Sequence, residues 1–262
     1  MKGMCLAAIF LTAVSALGAA QTPEQRGRDI AVEADQRATG YGDVTADLRM
    51  VIRGGRGEER KRELTIATLD IGGGGERTLV RFESPRDLRG TALLTVTGAD
   101  GSSDQWLYMP ALRRVNRIAG ATRRGSFMGS EFAYEDIGVM AVERYAYRLM
   151  QTDTLGGLDA WVVERRPQDG SSLYSRQLVW FDQQQYRVLR IDFYDRDGVL
   201  LKTLSLRGYR QYAGEFWRPD EMEMVNHQTG ATTLLEWRNY VFGAGLTERD
   251  FEPSRLERSG RR

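Results

Sequence analysis

Alternation with a period of two runs through most of this chain, and it restricts the fold more than any other feature. Val44, Ala46, Leu48, Met50 and Ile52 alternate with Thr45, Asp47 and Arg49. That is the pattern of a strand with one face buried and one face in solvent. Gly54-Gly55 and Gly57 mark a turn, and Leu64, Ile66 and Thr68 lie on the return strand. Extended stretches follow at Thr78–Glu83, Thr91–Thr97, Gln105–Met109 and Arg113–Ile118, with turns at Gly72–Gly75 and Asp100-Gly101. The second half reads as strands at Tyr145–Thr154, Ala160–Arg166, Tyr174–Phe181, Arg187–Tyr194, Val199–Gln211, Phe216–Asn226 and Thr232–Val241. Closely spaced turn signals between consecutive strands predict an antiparallel meander. The expected fold is mainly β (α+β): a strongly curved antiparallel sheet, or incomplete β-barrel, of about eleven strands.

One helix precedes the strands. Thr22 suits an N-cap, Pro23 the first helical position, and Gln25 can reach back to close a capping box. Ile30, Ala31, Ala34 and Ala38 then recur at helical spacing, and Gly40 ends the pattern.

Residues 1–20 read as a secretory signal peptide. Lys2 supplies a positive charge, Met4 to Leu17 is apolar, and Gly18-Ala19-Ala20 offers small residues for cleavage near Ala20. Cys5 lies early in the apolar core, where it is badly placed to carry a lipid after processing. The expected location is the periplasm, with residues 21–262 forming one domain; about 240 residues suffice to bury a core without disulfides. The chain has 37 Lys+Arg and 36 Asp+Glu, and loss of Lys2 leaves the two signs equal. Net charge therefore predicts no nucleic-acid partner.

Chemistry-bearing motifs are scarce. The only histidine is His227, and the only cysteine, Cys5, lies in the leader. No nucleophile elbow accompanies His227, and Gly72–Gly75 lacks the lysine and Ser/Thr of a phosphate loop. No catalytic residue, metal site or cofactor is expected. Glu131, Glu135 and Asp136 lie near Phe132 and Tyr134, a combination that glycoside hydrolases use, but nothing in the sequence sets their separation.

The stretch from Arg113 to Met140 departs from the alternation. It is rich in glycine, aromatics and charge, as binding loops and lids are. Trp106, Tyr108, Met109, Phe127, Met128, Phe132 and Tyr134 gather around it and form the candidate lipid-binding or lid residues. The expected lid is a helical or loop segment over the concave face, with Phe127 and Met128 hinged by Gly125 and Gly129. Arg113, Arg114, Arg117, Arg123 and Arg124 are candidate contacts to a headgroup or a partner. Equally, they can pair with Glu131, Glu135 and Asp136 on a solvated face. The tryptophans of the second half read as plain core.

Two stretches resemble the LolA-like family of outer-membrane lipoprotein-sorting proteins. One runs from Asp104-Gln105-Trp106-Leu107-Tyr108-Met109-Pro110 through Ser126-Phe127-Met128-Gly129-Ser130 to Tyr134-Glu135-Asp136. The other runs from Trp180-Phe181-Asp182 through Asp195-Arg196-Asp197-Gly198 to Trp217-Arg218-Pro219, and Thr247-Glu248-Arg249-Asp250-Phe251 also fits. The resemblance implies a half-open barrel with helices across its opening and an apolar cavity for acyl chains. It further implies a periplasmic carrier of a lipid or lipoprotein acyl chain, no enzymatic activity, and an RND-type (MMPL-like) inner-membrane transporter as partner. The competing expectation is an envelope module that docks on such a transporter and carries nothing.

Overall fold

The computed structural model describes residues 21–138 and 141–259. The leader expected at residues 1–20 lies outside the described residues. The first element is helix α1 (Pro23–Ala38). Its start follows the sequence: Thr22 Oγ1 accepts from the Gln25 amide at 3.2 Å, and Gln25 Oε1 accepts from the Thr22 amide at 3.0 Å. This reciprocal pair satisfies two amides that the helix itself leaves open.

Six strands follow: β1 (Asp43–Arg53), β2 (Glu59–Gly72), β3 (Gly75–Ser84), β4 (Ala92–Thr97), β5 (Ser103–Met109) and β6 (Arg114–Ile118). After an irregular stretch come β7 (Tyr145–Leu155), β8 (Leu158–Pro167), β9 (Arg176–Asp182), β10 (Val188–Tyr194) and β11 (Leu200–Arg207). The remaining strands are β12 (Arg210–Tyr212), β13 (Phe216–Arg218), β14 (Glu221–Asn226) and β15 (Thr232–Phe242). A C-terminal segment ends in the short helix α2 (Leu256–Ser259).

Thirteen strands join one antiparallel sheet in the order β6-β5-β4-β3-β2-β1-β15-β14-β11-β10-β9-β8-β7. The sheet is two meanders joined at their centre, where β1 pairs with β15 through Met50↔Leu235 and Leu48↔Trp237. Its edge strands β6 and β7 do not pair, so no closed barrel forms. The expectation of about eleven strands is therefore low. The two long stretches expected at Val199–Gln211 and Phe216–Asn226 each divide. Gly208 takes a left-handed φ of 65°, Pro219 offers no amide to a ladder, and the Asp220 amide turns back to Arg207 O at 3.1 Å. β12 and β13 fold away as a separate hairpin.

Period-two burial gives the sheet an inner face and an outer face. Leu48, Met50 and Ile52 of β1 pack inside with Leu64 and Ile66 of β2, Phe82 of β3, Leu93 of β4 and Leu235 of β15. α1 lies on this inner face against β7, with Ile30 and Ala31 buried. Gly27 makes the close approach possible, since a Cβ there would stand 2.6 Å from the Leu149 backbone nitrogen. On the outer face, the C-terminal segment covers Leu79, Leu94 and Tyr108 with Phe251 and Leu256. A smaller outer cluster holds Ala160, Val162, Trp180 and Leu189.

The inner face also holds a misfit. Arg62 on β2 stands opposite Met50 and is 7% exposed. Its Nη1 is buried without a hydrogen-bond partner, and its guanidinium lies 5.7 Å from the Phe82 ring centre. Burial, and then the nearby Arg60, lower its pKa, while Asp87 opposes them. A buried cation without an ion pair costs more than its ring contact returns. Arg62→Met is expected to stabilise the fold by about 1 kcal/mol, read as a higher urea midpoint at unchanged slope; a lower midpoint would refute it.

Candidate functional site

From β6 the chain must reach β7, which lies at the opposite edge of the sheet. Residues 119–138 and 141–144 lie along that crossing over the inner face, as a strap with 3₁₀ turns at Gly120–Arg124, Tyr134–Asp136 and Val142–Arg144. Its centre is a tight loop. The Phe127 amide donates to Phe132 O at 2.7 Å, the Tyr134 amide to Gly125 O at 3.0 Å, and Ser126 Oγ to Ser130 O at 2.6 Å. Met128 and Gly129 both take positive φ, 51° and 75°, to close it. The loop drives Phe127 inward: it is 1% exposed, with ring centres 5.8 Å from Phe82 and 5.6 Å from Tyr134.

Polar pins hold the strap from both halves of the sheet. On the β5 side, Gln105 Nε2 donates to Tyr134 O at 2.8 Å and to Thr95 Oγ1 at 3.1 Å. On the other side, Lys202 Nζ donates to Glu131 O at 2.7 Å, and Asn226 Nδ2 donates to Glu131 Oε2 at 2.7 Å. The Glu131 amide donates to Thr233 Oγ1 at 2.9 Å, and the Leu173 amide to Glu135 Oε1 at 2.7 Å. Tyr174 donates its hydroxyl to Asp136 Oδ2 at 2.9 Å, and the Ala133 amide reaches the same oxygen at 2.7 Å. Burial pushes the Asp136 carboxyl above its ordinary range, against the pull of Lys202. Burial likewise raises Glu135. The three acids are bound to the strap's supports, and none stands free opposite another in a cleft as paired hydrolytic acids require.

Two cavities remain beneath α1 and the strap. The first, about 410 Å³, is walled by the inner faces of β1, β2, β3, β14 and β15 through Leu48, Met50, Leu64, Ile66, Met222 and Leu235, with Phe127 and Phe132 of the strap above. Its far rim is polar: Glu76 accepts from the Tyr41 hydroxyl at 2.7 Å and the Thr78 hydroxyl at 2.7 Å. The second, about 540 Å³, lies on the other side of the C-terminal half of α1 and is lined by Phe181, Tyr186, Arg187, Tyr209, Trp217 and others. Both volumes are in the range of small-molecule sites.

A crystal structure assigned to an outer membrane lipoprotein-sorting protein domain from Vibrio parahaemolyticus is 41% identical to this chain. It covers 89% of this chain and 99% of its own, with a TM-score of 0.87. The chain belongs to the LolA-like lipoprotein-sorting family. A DUF1329 family protein from Desulfovibrio piger is similar as well, at 32% identity over 90% of this chain and 99% of that one, with a TM-score of 0.84. The same LolA-like fold recurs in a LolA superfamily protein from Nitrosomonas europaea, 21% identical over 86% of this chain and 97% of that one, at a TM-score of 0.68. A family model described as an uncharacterized protein matches residues 74–258. No curated protein matches the chain.

Within this LolA-like frame the residues singled out from sequence divide. Phe127, Phe132 and Tyr134 are buried on the inner face, with Met109 and Met128 packed beside that core. Trp106 and Tyr108 belong to the outer cluster under the C-terminal segment, because their neighbours Gln105 and Leu107 take the inward positions of β5. The five arginines stay at the sheet's β6 edge and line neither cavity. Arg117 pairs with Asp104, and Arg123 donates to Ser103 O at 2.7 Å; no ion pair joins them to Glu131, Glu135 or Asp136 among the described residues. Arg113, Arg114 and Arg124 are exposed. His227 is exposed too, with Nε2 2.8 Å from Thr203 Oγ1.

Other lining residues escaped the sequence reading. Trp217 and Trp237, expected as plain core, line cavities, as do Tyr41 and Arg218. The signal that pointed to the apolar walls was present: even-numbered apolar positions in β1 and β2 share one face. No group of His, Cys, Asp or Glu among the described residues is placed to hold a metal.

Proposed function

We propose that this protein is a periplasmic, non-enzymatic carrier that holds a lipid or lipoprotein acyl chain in the 410 Å³ apolar cavity and moves it between membranes. The observation that carries this reading is the cavity itself. Apolar side chains from neighbouring strands of the sheet leave a space between the sheet and a strap pinned above it, where a storage-free core would pack solid. Transfer of about twelve methylenes into such a space contributes roughly 0.8 kcal/mol each before the losses of association. That is enough for capture that remains reversible. The leader expected from the sequence at residues 1–20 and the family membership support a periplasmic site of action. An RND-type exporter is the membrane partner consistent with the resemblance; affinity capture from solubilised inner membranes that recovers no such transporter would remove that part.

The test is native mass spectrometry of protein purified from a bacterial periplasm, followed by lipid extraction. An acyl-bearing species at one per chain is expected. Ala46 on the inner face of β1 lines the cavity, so Ala46→Trp fills it. This variant should weaken binding of a fluorescent fatty acid by about tenfold or more while costing the fold about 1–3 kcal/mol. Wild-type protein that is empty and fails to bind the probe would instead favour a docking module that carries nothing.

A further inference from the structure

The two cavities meet at Arg218, which lines both. Tyr41, Phe216 and Phe242 surround its guanidinium, with ring centres 5.1, 5.9 and 5.8 Å away. Among the described residues its hydrogen bonds go to backbone carbonyls, Ala38 O and Trp217 O, each at 3.0 Å. No carboxylate forms an ion pair with it among the described residues.

The other guanidinium groups of the second cavity are differently occupied. Arg187 pairs with Asp182 at 2.6 Å and Arg37 with Glu33 at 2.7 Å, and Arg165 donates to Gln177 Oε1 at 2.5 Å. The acids facing this space are Asp35 and Glu215, while Glu76 faces Arg218 from the apolar side. Burial holds the Asp35 and Glu76 carboxyls above their ordinary range, which weakens their competition for the cation. The arrangement is amphiphilic: an aliphatic chamber, an aromatic-framed cation at its threshold, and a roomier chamber with guanidinium groups on aromatic walls. Guanidinium groups match carboxylate and phosphate oxygens in geometry as well as in charge.

We propose that Arg218 anchors the acidic headgroup of the cargo, with the acyl chain in the aliphatic chamber and the carboxylate or phosphate in the arginine-lined one. The proposal rests on the carrier reading above and narrows it to acidic amphiphiles. A neutral-headed chain of the same length gains the aliphatic chamber alone.

Competition against a fluorescent fatty acid tests this with palmitate, hexadecanol, a single-chain lysophosphatidic acid and inorganic phosphate. Wild-type protein should bind palmitate or the lysophosphatidic acid at least about tenfold more tightly than hexadecanol, the size of one charge-assisted contact. The better of these two acids identifies the headgroup chemistry. Arg218→Gln should bring the acid-to-alcohol ratio toward one, and Arg218→Lys should restore most of it. A wild-type ratio near one overturns the headgroup anchor and leaves acyl carriage standing, whether or not Arg218→Gln folds. Failure of every alkyl ligand overturns both. Inorganic phosphate that binds an otherwise empty protein, and is lost in Arg218→Gln, would make this a free-anion site and overturn the amphiphile assignment.

Discussion

Phe127→Ala is expected to lower the unfolding free energy by about 3–5 kcal/mol, the range for truncating a buried aromatic side chain. Phe127 is almost fully buried and stands between Phe82 of the sheet and Tyr134 of the strap. The strap's loop cannot collapse to fill the space. Met128 and Gly129 already hold left-handed backbone, and Ser130 Oγ donates to Phe127 O at 2.8 Å. Removing the ring therefore enlarges the aliphatic chamber from above. Urea unfolding followed by tryptophan fluorescence measures the loss. A cost below about 1 kcal/mol would mean that the strap is an independently mobile lid and not part of the core.

Lys202→Met is expected to cost about 3–5 kcal/mol at neutral pH, because it breaks a buried charge arrangement and leaves its partners in place. The substitution keeps most of the side-chain volume. It removes the donor to Glu131 O at 2.7 Å and the cation that lowers the Asp136 pKa. Asp136 then remains against Tyr174 with no counter-charge from β11. Its carboxyl, already raised by burial, rises further in the variant. The folded variant then binds a proton at pH values where the unfolded chain does not, so its stability improves as the pH falls through that raised range. A deficit that is flat with pH would place the loss in packing alone. Asp136→Leu in the Lys202→Met background should recover part of the stability, and the double-mutant cycle measures the coupling.

Both effects concern the strap, and the strap is where sequence and tertiary structure diverge. Its unusual composition was legible, and so was its role as an exception to the alternation. Its route was not, because the partners of Glu131 and Asp136 lie 71 and 38 residues away, at Lys202 and Tyr174. From sequence, the same three acids could be hydrolytic groups or surface pairs for the nearby arginines. Only tertiary structure made them pins: β11, β14 and β15 hold Glu131, and the segment before β9 holds Glu135 and Asp136 through Leu173 and Tyr174.

Local chemistry determined what lies within a few residues. The Thr22–Gln25 capping box, the helix to Ala38 and the inward row of β1 follow from side chains that interact with their own neighbourhood. Period two assigned opposite faces to adjacent residues, and it placed Gln105 against Trp106 without saying which of the two faced inward. Tertiary structure decided that. α1 and the strap cover one face and the C-terminal segment covers the other, so Gln105 faces the strap while Trp106 faces Phe251 and Leu256. The pairing of β1 with β15 joins residues nearly two hundred positions apart, such as Met50 and Leu235. The cavity exists because that pairing sets the inner faces of the two meanders side by side beneath α1 and the strap, an arrangement that no local pattern encodes.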